Sequence, residues 1–121
     1  LNQLKVNEHY FCKGDTFHWL RRFAKQGRRF DAIVLDPPTF SRDNDGKVFR
    51  VEKDYQRLVE LATACLENDG LLLACTNCRQ LDNRSFESQV NRGFSRQVKI
   101  EAAPMPRDFT GEAYLKSLWV Q

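Results

Sequence analysis

Two runs of apolar residues that do not alternate with polar ones constrain the fold more than any other feature of the chain. Ile33-Val34-Leu35 and Leu71-Leu72-Leu73-Ala74-Cys75 each end at a polar break. A strand with one wet face alternates in character, whereas an apolar run without alternation belongs to a strand covered on both faces, as in a parallel sheet. Parallel neighbours need a crossover connection, usually a helix. The segment between them supplies one. In DYQRLVELATACLEN, residues 54–68, Tyr55, Leu58, Val59, Ala62, Cys65 and Leu66 form a single stripe at helical spacing.

The flanks repeat the pattern. HYFCKGD (9–15) reads as a short strand ending in a Gly-Asp turn, and TFHWLRRFAKQG (16–27) as a helix with Phe17, Leu20 and Ala24 on one face. Asp15 or Thr16 can cap its first turn and Gly27 can end it. Residues 41–53 read as a polar connection of mixed charge, and Asp69-Gly70 as the turn into the 71–75 strand. A third helix is expected over 82–92, with Phe86 and Val90 inward and Gly93 at its end. Strands follow at 96–103 and 114–120, the first with Val98 and Ile100 facing in. Strand and helix units alternating in this way build an open, mostly parallel sheet. Ligands of such sheets sit beyond the carboxyl ends of the strands. That rule selects Gly14-Asp15, Asp36-Pro37-Pro38 and Thr76-Asn77-Cys78.

Composition narrows the class. The 121 residues make one ordinary domain, with 41% apolar and 29% charged residues, as in soluble globular proteins. No run approaches the roughly 20 apolar residues of a membrane-spanning helix, and the N-terminus has no signal-peptide pattern. A net charge of +3, from 19 basic and 16 acidic residues, is compatible with a nucleic-acid partner without demanding one. Cys12, Cys65, Cys75 and Cys78 are therefore expected to be reduced thiols of a cytoplasmic protein. Cys75-x-x-Cys78 lacks a second ligand pair, and His9 and His18 are far away in sequence, so no metal site is expected. A redox pair is the other reading of the two thiols.

GDTFHWL (14–20), DPPTF (36–40) and YLK (114–116), in that order, resemble the class I S-adenosylmethionine-dependent methyltransferases. The likeness is to bacterial enzymes that methylate cytosine or guanine of large-subunit ribosomal RNA, and it covers essentially the whole chain. It implies an α/β Rossmann-like fold with helices on both faces of a mostly parallel sheet and an antiparallel strand at the C-terminal end. It also implies S-adenosylmethionine as cofactor and RNA as substrate. Asp15, Thr16 and Phe17 would line the adenine pocket, with Asp15 accepting from the adenine amine; Asp15 as a plain helix cap is the other reading. Asp36 and the Pro37 carbonyl would face donor and target, Pro38 would keep the loop rigid, and Phe40 would stack on a flipped base. Thr39 between Pro38 and the ring departs from the amino-methyltransferase form and leaves the target atom open. Related cytosine ring methylases use a cysteine nucleophile near the end of the 71–75 strand, where Asn77 or, one residue on, Cys78 falls; an ordinary small residue is the other reading of Cys78. Arg42, Lys47, Arg50 and Lys53 lie where RNA phosphates would pass, interleaved with Asp43, Asp45, Glu52 and Asp54 in a manner that also suits a solvated loop.

The chain starts without methionine and has no GxG turn for the other end of the cofactor. It is expected to be the later part of a catalytic domain, 1–121 being a partial domain that lacks the first strands. Alone it should be inactive and bind the cofactor weakly. An uncovered edge of the 30–35 strand invites a second copy, hence a possible homodimer. A non-catalytic RNA-binding or interaction module on the same fold is the alternative.

Overall fold

The computed structural model describes residues 9–42, 45–105 and 114–121. In chain order the elements are α1 (Thr16–Lys25), β1 (Phe30–Leu35), β2 (Phe40–Arg42), β3 (Val48–Arg50), α2 (Val51–Thr63), β4 (Leu66–Thr76), α3 (Asn83–Arg92), β5 (Ile100–Ala102) and β6 (Lys116–Val120). The main sheet has the order β1-β4-β6-β5. β1 runs parallel to β4, as the two unbroken apolar runs require. β6 is antiparallel to both β4 and β5.

Helix ends follow local chemistry. The Asp15 Oδ1 accepts from the His18 amide at 2.7 Å, capping α1. At the other end Gly27 takes φ +67°. Its amide donates to the Ala24 carbonyl and the Arg28 amide to that of Phe23, both at 3.0 Å, an interlock that closes the helix. Asp82 caps α3 through the Ser85 amide at 2.9 Å, and these bonds to Ser85 hold its carboxyl below the ordinary carboxylate range. α3 ends against α2 at Gly93, where a Cβ would lie 2.5 Å from Val59.

α1 packs on α2 and α2 on α3, so the three helices form one layer. Beneath them Leu35 of β1, Leu72 and Ala74 of β4, and Leu118 and Val120 of β6 are buried in a common core with Leu20, Tyr55, Leu58, Val59, Phe86 and Val90. The opposite sheet face carries Val34, Leu73 and Trp119 side by side in register. Val34 is 65% exposed and Trp119 39%. Of the helices expected on both faces, those of the described residues cover one.

Several local expectations change. Residues 9–14 form no strand; Tyr10 and Phe11 are exposed. A strand needs a neighbour for its backbone groups, and this segment does not pair with β1, which stays an edge of the described sheet. The polar connection of 41–53 contains the β2–β3 hairpin, and α2 begins at Val51 rather than Asp54. Asp69-Gly70 is not a turn into the strand but lies within β4, whose register with β1 shifts between Phe30 and Ala32. α2 accordingly stops at Thr63, and Leu66 of its stripe already belongs to β4. The strand expected over 96–103 is confined to β5. Cys75 points to the open face, where Ser117 Oγ lies 3.4 Å from its sulfur.

Candidate active site

The carboxyl ends of β1 and β4 lie side by side, and one buried side chain holds them. The Tyr55 hydroxyl, from α2, lies 2.9 Å from the Cys75 carbonyl and 3.2 Å from the Leu35 carbonyl. Its ring meets Phe86 edge to face at 4.9 Å. Burial, and less so the nearby Cys75 and Asp36, pushes the phenol well above its usual pKa, so it stays a donor. By spacing alone Tyr55 is one member of an apolar stripe. Its place against the Leu35 carbonyl, one residue before Asp36, is not legible from that spacing.

Asp36, Pro37 and Pro38 leave the end of β1. Both prolines fix φ and lack a donor, so the loop cannot continue the ladder. Thr39 then ties the loop at two points: its hydroxyl lies 3.1 Å from Asn77 Oδ1, past the end of β4, and its carbonyl accepts from the Val51 amide at 3.1 Å. Phe40 opens the hairpin. In register it stands opposite Arg50, with Arg42 opposite Val48, so these four share one face and Ser41 and Phe49 the other. The Phe40 ring is 48% exposed, and the Arg50 guanidinium lies over it at 5.4 Å. Phe49 faces inward and is buried against Phe17 at 5.7 Å.

A cleft of about 310 Å³ joins the parts. Its lining includes Asp15, Thr16 and Phe17 from the start of α1, Asp36 to Pro38, and Leu58 of α2. The five residues expected to touch the cofactor thus meet on one cavity. That donor set suits one end of a nucleoside: Asp15 keeps a carboxylate oxygen outside the helix cap, and Phe17 and Leu58 supply apolar surface. Arg42, Lys47, Arg50 and Lys53 are all exposed on or beside the hairpin. Cys78 is buried, its sulfur 3.5 Å from Gln80 Oε1 and 4.0 Å from Glu52 Oε1. Lys116, of the YLK segment, donates to the Cys78 and Tyr114 carbonyls at 2.9 and 3.1 Å and so fixes the loop after β4. All four cysteines are free thiols. Among the described residues no three potential ligands gather as a metal site, and no helix is long and apolar enough to cross a membrane.

Known proteins share this fold and sequence similarity over most of the chain. The structure of SMU.776, a methyltransferase crystallised with SAH, superimposes with a TM-score of 0.78 at 29% identity, over 88% of this chain. Ribosomal RNA large subunit methyltransferase K of Neisseria meningitidis is 31% identical over 90% of it. Over most of its length the chain is thus similar, in sequence and in fold, to S-adenosylmethionine-dependent methyltransferases. Ribosomal RNA large subunit methyltransferase K/L of Saccharophagus degradans is 32% identical over 98% of the chain. No family model matches. The chain spans 30% of the length of the Neisseria relative and of SMU.776, and 15% of the Saccharophagus one.

Proposed function

We propose that the chain forms the target-facing half of a site that moves a methyl group from S-adenosylmethionine to a nucleobase of RNA, ribosomal RNA in the first place. The observation that supports this best is the convergence of Asp15, Asp36 and Pro37 on one cleft at the strand ends, with an exposed aromatic, Phe40, at the start of the hairpin that follows. When bound, S-adenosylmethionine supplies an electrophilic methyl group. The chain's own residues do the positioning, which dominates the catalysis of an in-line transfer. Asp15, Thr16 and Phe17 hold the adenine end. Asp36 and the Pro37 carbonyl accept hydrogen bonds from the target base and orient its lone pair, and Pro38 holds that carbonyl in place. Phe40 stacks on the base, while Arg42, Lys47, Arg50 and Lys53 neutralise the neighbouring phosphates. A covalent route through Cys78 requires the thiol to leave its buried place beside Gln80 and Glu52, so an exocyclic amine is the better target and Cys78 a packing residue. The setting is the cytoplasm. β1 forms one edge of the described sheet and is the surface through which a second copy would pair.

The test is methyl transfer to RNA by a polypeptide that contains this chain, with radiolabelled cofactor. Asp36→Ala should abolish turnover and leave the thermal transition in place. Phe40→Ala should weaken RNA binding by about 1–3 kcal/mol if the ring stacks on a base. Normal turnover by both variants would sink the assignment, and RNA binding without any methyl transfer would favour the non-catalytic module. Light scattering of the 121-residue chain reports a monomer or a dimer.

A further inference from the structure

A second, smaller pocket of about 90 Å³ adjoins the cleft and shares Asp15, Phe17, Ser41 and Phe49 with it. It lies under the inner face of the hairpin, where α1 and α2 both begin. Three basic side chains reach it: Arg21 from α1, Arg57 from α2 and Lys47 from the hairpin. Arg21 and Arg57 are both exposed at its rim, and their guanidinium carbons stand 6.0 and 5.8 Å from the centre of the same ring, Phe17. Two like charges are thus gathered around one aromatic ring. Among the described residues neither Arg21 nor Arg57 forms an ion pair.

The pocket also contains two carboxylates, Asp15 and Asp54. Each already accepts a backbone amide at a helix start: Asp15 from His18 at 2.7 Å, and Asp54 from Arg50 at 2.8 Å. Their charge is partly offset by the positive ends of α1 and α2, helices of 10 and 13 residues. Two guanidinium groups and two helix N-termini therefore face two committed carboxylates, with Lys47 alongside. Such a balance suits an anion, and guanidinium pairs suit phosphate oxygens in particular.

We infer that Arg21 and Arg57, with Lys47, form a phosphodiester-binding site that grips the RNA backbone on the inner side of the hairpin, next to the nucleotide held at Phe40. The inference rests on the reading of RNA as substrate and adds a second wall to it. The strand would run past the hairpin with Arg42 and Arg50 on its outer face and Arg21 and Arg57 on the inner. Base stacking at Phe40 would then be framed by a bound phosphate on each side.

The experiment measures binding of a short single-stranded RNA of mixed sequence to the 121-residue chain by fluorescence anisotropy, across a series of KCl concentrations. Three proteins are compared: the unaltered chain, Arg21→Gln/Arg57→Gln, and Arg42→Gln/Arg50→Gln. Circular dichroism melts establish that the variants fold, which the solvent access of these side chains favours. Arg21→Gln/Arg57→Gln should bind roughly tenfold or more weakly at low salt, with the log–log salt slope shallower by about 0.7 for each phosphate no longer neutralised. Unchanged affinity and slope in that variant, with weaker binding in Arg42→Gln/Arg50→Gln, would overturn the inner site and leave the RNA reading standing. No binding by the unaltered chain would overturn both. A parallel titration with S-adenosylmethionine covers the remaining anion. If Arg21→Gln/Arg57→Gln weakens only cofactor binding, the group held is the cofactor's carboxylate and the inference fails.

Discussion

The two faces of the main sheet are made from nearly the same residue types and have opposite fates. On one, Leu35, Leu72, Ala74, Leu118 and Val120 lie under the helix layer, and Leu72 and Val120 have no exposed surface at all. On the other, Val34, Leu73 and Trp119 stand in a cross-strand row, with Val34 and Trp119 open to solvent. Adjacent residues of one strand thus belong to different environments. The difference teaches that an unbroken apolar run encodes coverage on both faces, while the described residues supply helices for one. Apolar character on the open face is therefore information about a neighbour, and the stability of the described structure resides on the other side.

The largest effect expected from this contrast is between Leu72 and Leu73. Leu72→Ala removes a fully buried side chain and should cost about 2–5 kcal/mol, whereas Leu73→Ala should cost well under half as much in the same urea titration. Equal losses would show that both faces are covered in solution. Next is Gly93→Ala. Its Cβ would collide with Val59 and force α3 away from α2, for an expected loss of roughly 1–3 kcal/mol. Denaturant midpoints near those of the parent would mean that the helix layer is looser than described.

Tyr55→Phe should follow, at about 1–2 kcal/mol, since two buried carbonyls lose their shared donor. A pH series sharpens it. Burial raises the folded-state pKa of this phenol above that of a free tyrosine. Its contribution is therefore complete below pH of about 10 and is lost as pH climbs beyond that, when the unfolded chain ionises first. Part of the alkaline loss of stability should vanish in Tyr55→Phe; an identical alkaline limb in both proteins would contradict the bridge. The smallest change is on the open face, where Val34→Thr should stay within about 0.5 kcal/mol of the parent by the same titration.

Where a local rule suffices, the sequence was enough. Asp15 as a cap, Gly27 and Gly93 as stops, and the stripes through Phe17 and Phe86 all require only helical spacing. Readings failed where the outcome depends on a distant partner. His9 to Lys13 have strand-like composition but join no ladder of the described sheet. The hairpin was hidden because Phe40 and Arg42 on one face and Ser41 and Phe49 on the other mix charge with aromatics, and only the Phe17 ring explains why Phe49 turns inward. Of the candidate site, Asp36 was legible at the end of an apolar run and Asp15 after the Lys13-Gly14 turn ahead of a helix. Tyr55 and Lys116 were not, because their function is to bind backbone carbonyls, and backbone groups leave no trace in residue identity.

The Tyr55 phenol has one more consequence, for motion. It joins the last carbonyl of β1 to the penultimate residue of β4, and just beyond it Thr39 meets Asn77. The two loops at the mouth of the cleft are therefore rungs of one short ladder, not two independent hinges. Amide hydrogen exchange in the 36–39 and 76–78 segments should then proceed through a common opening event, with matched protection and matched dependence on denaturant.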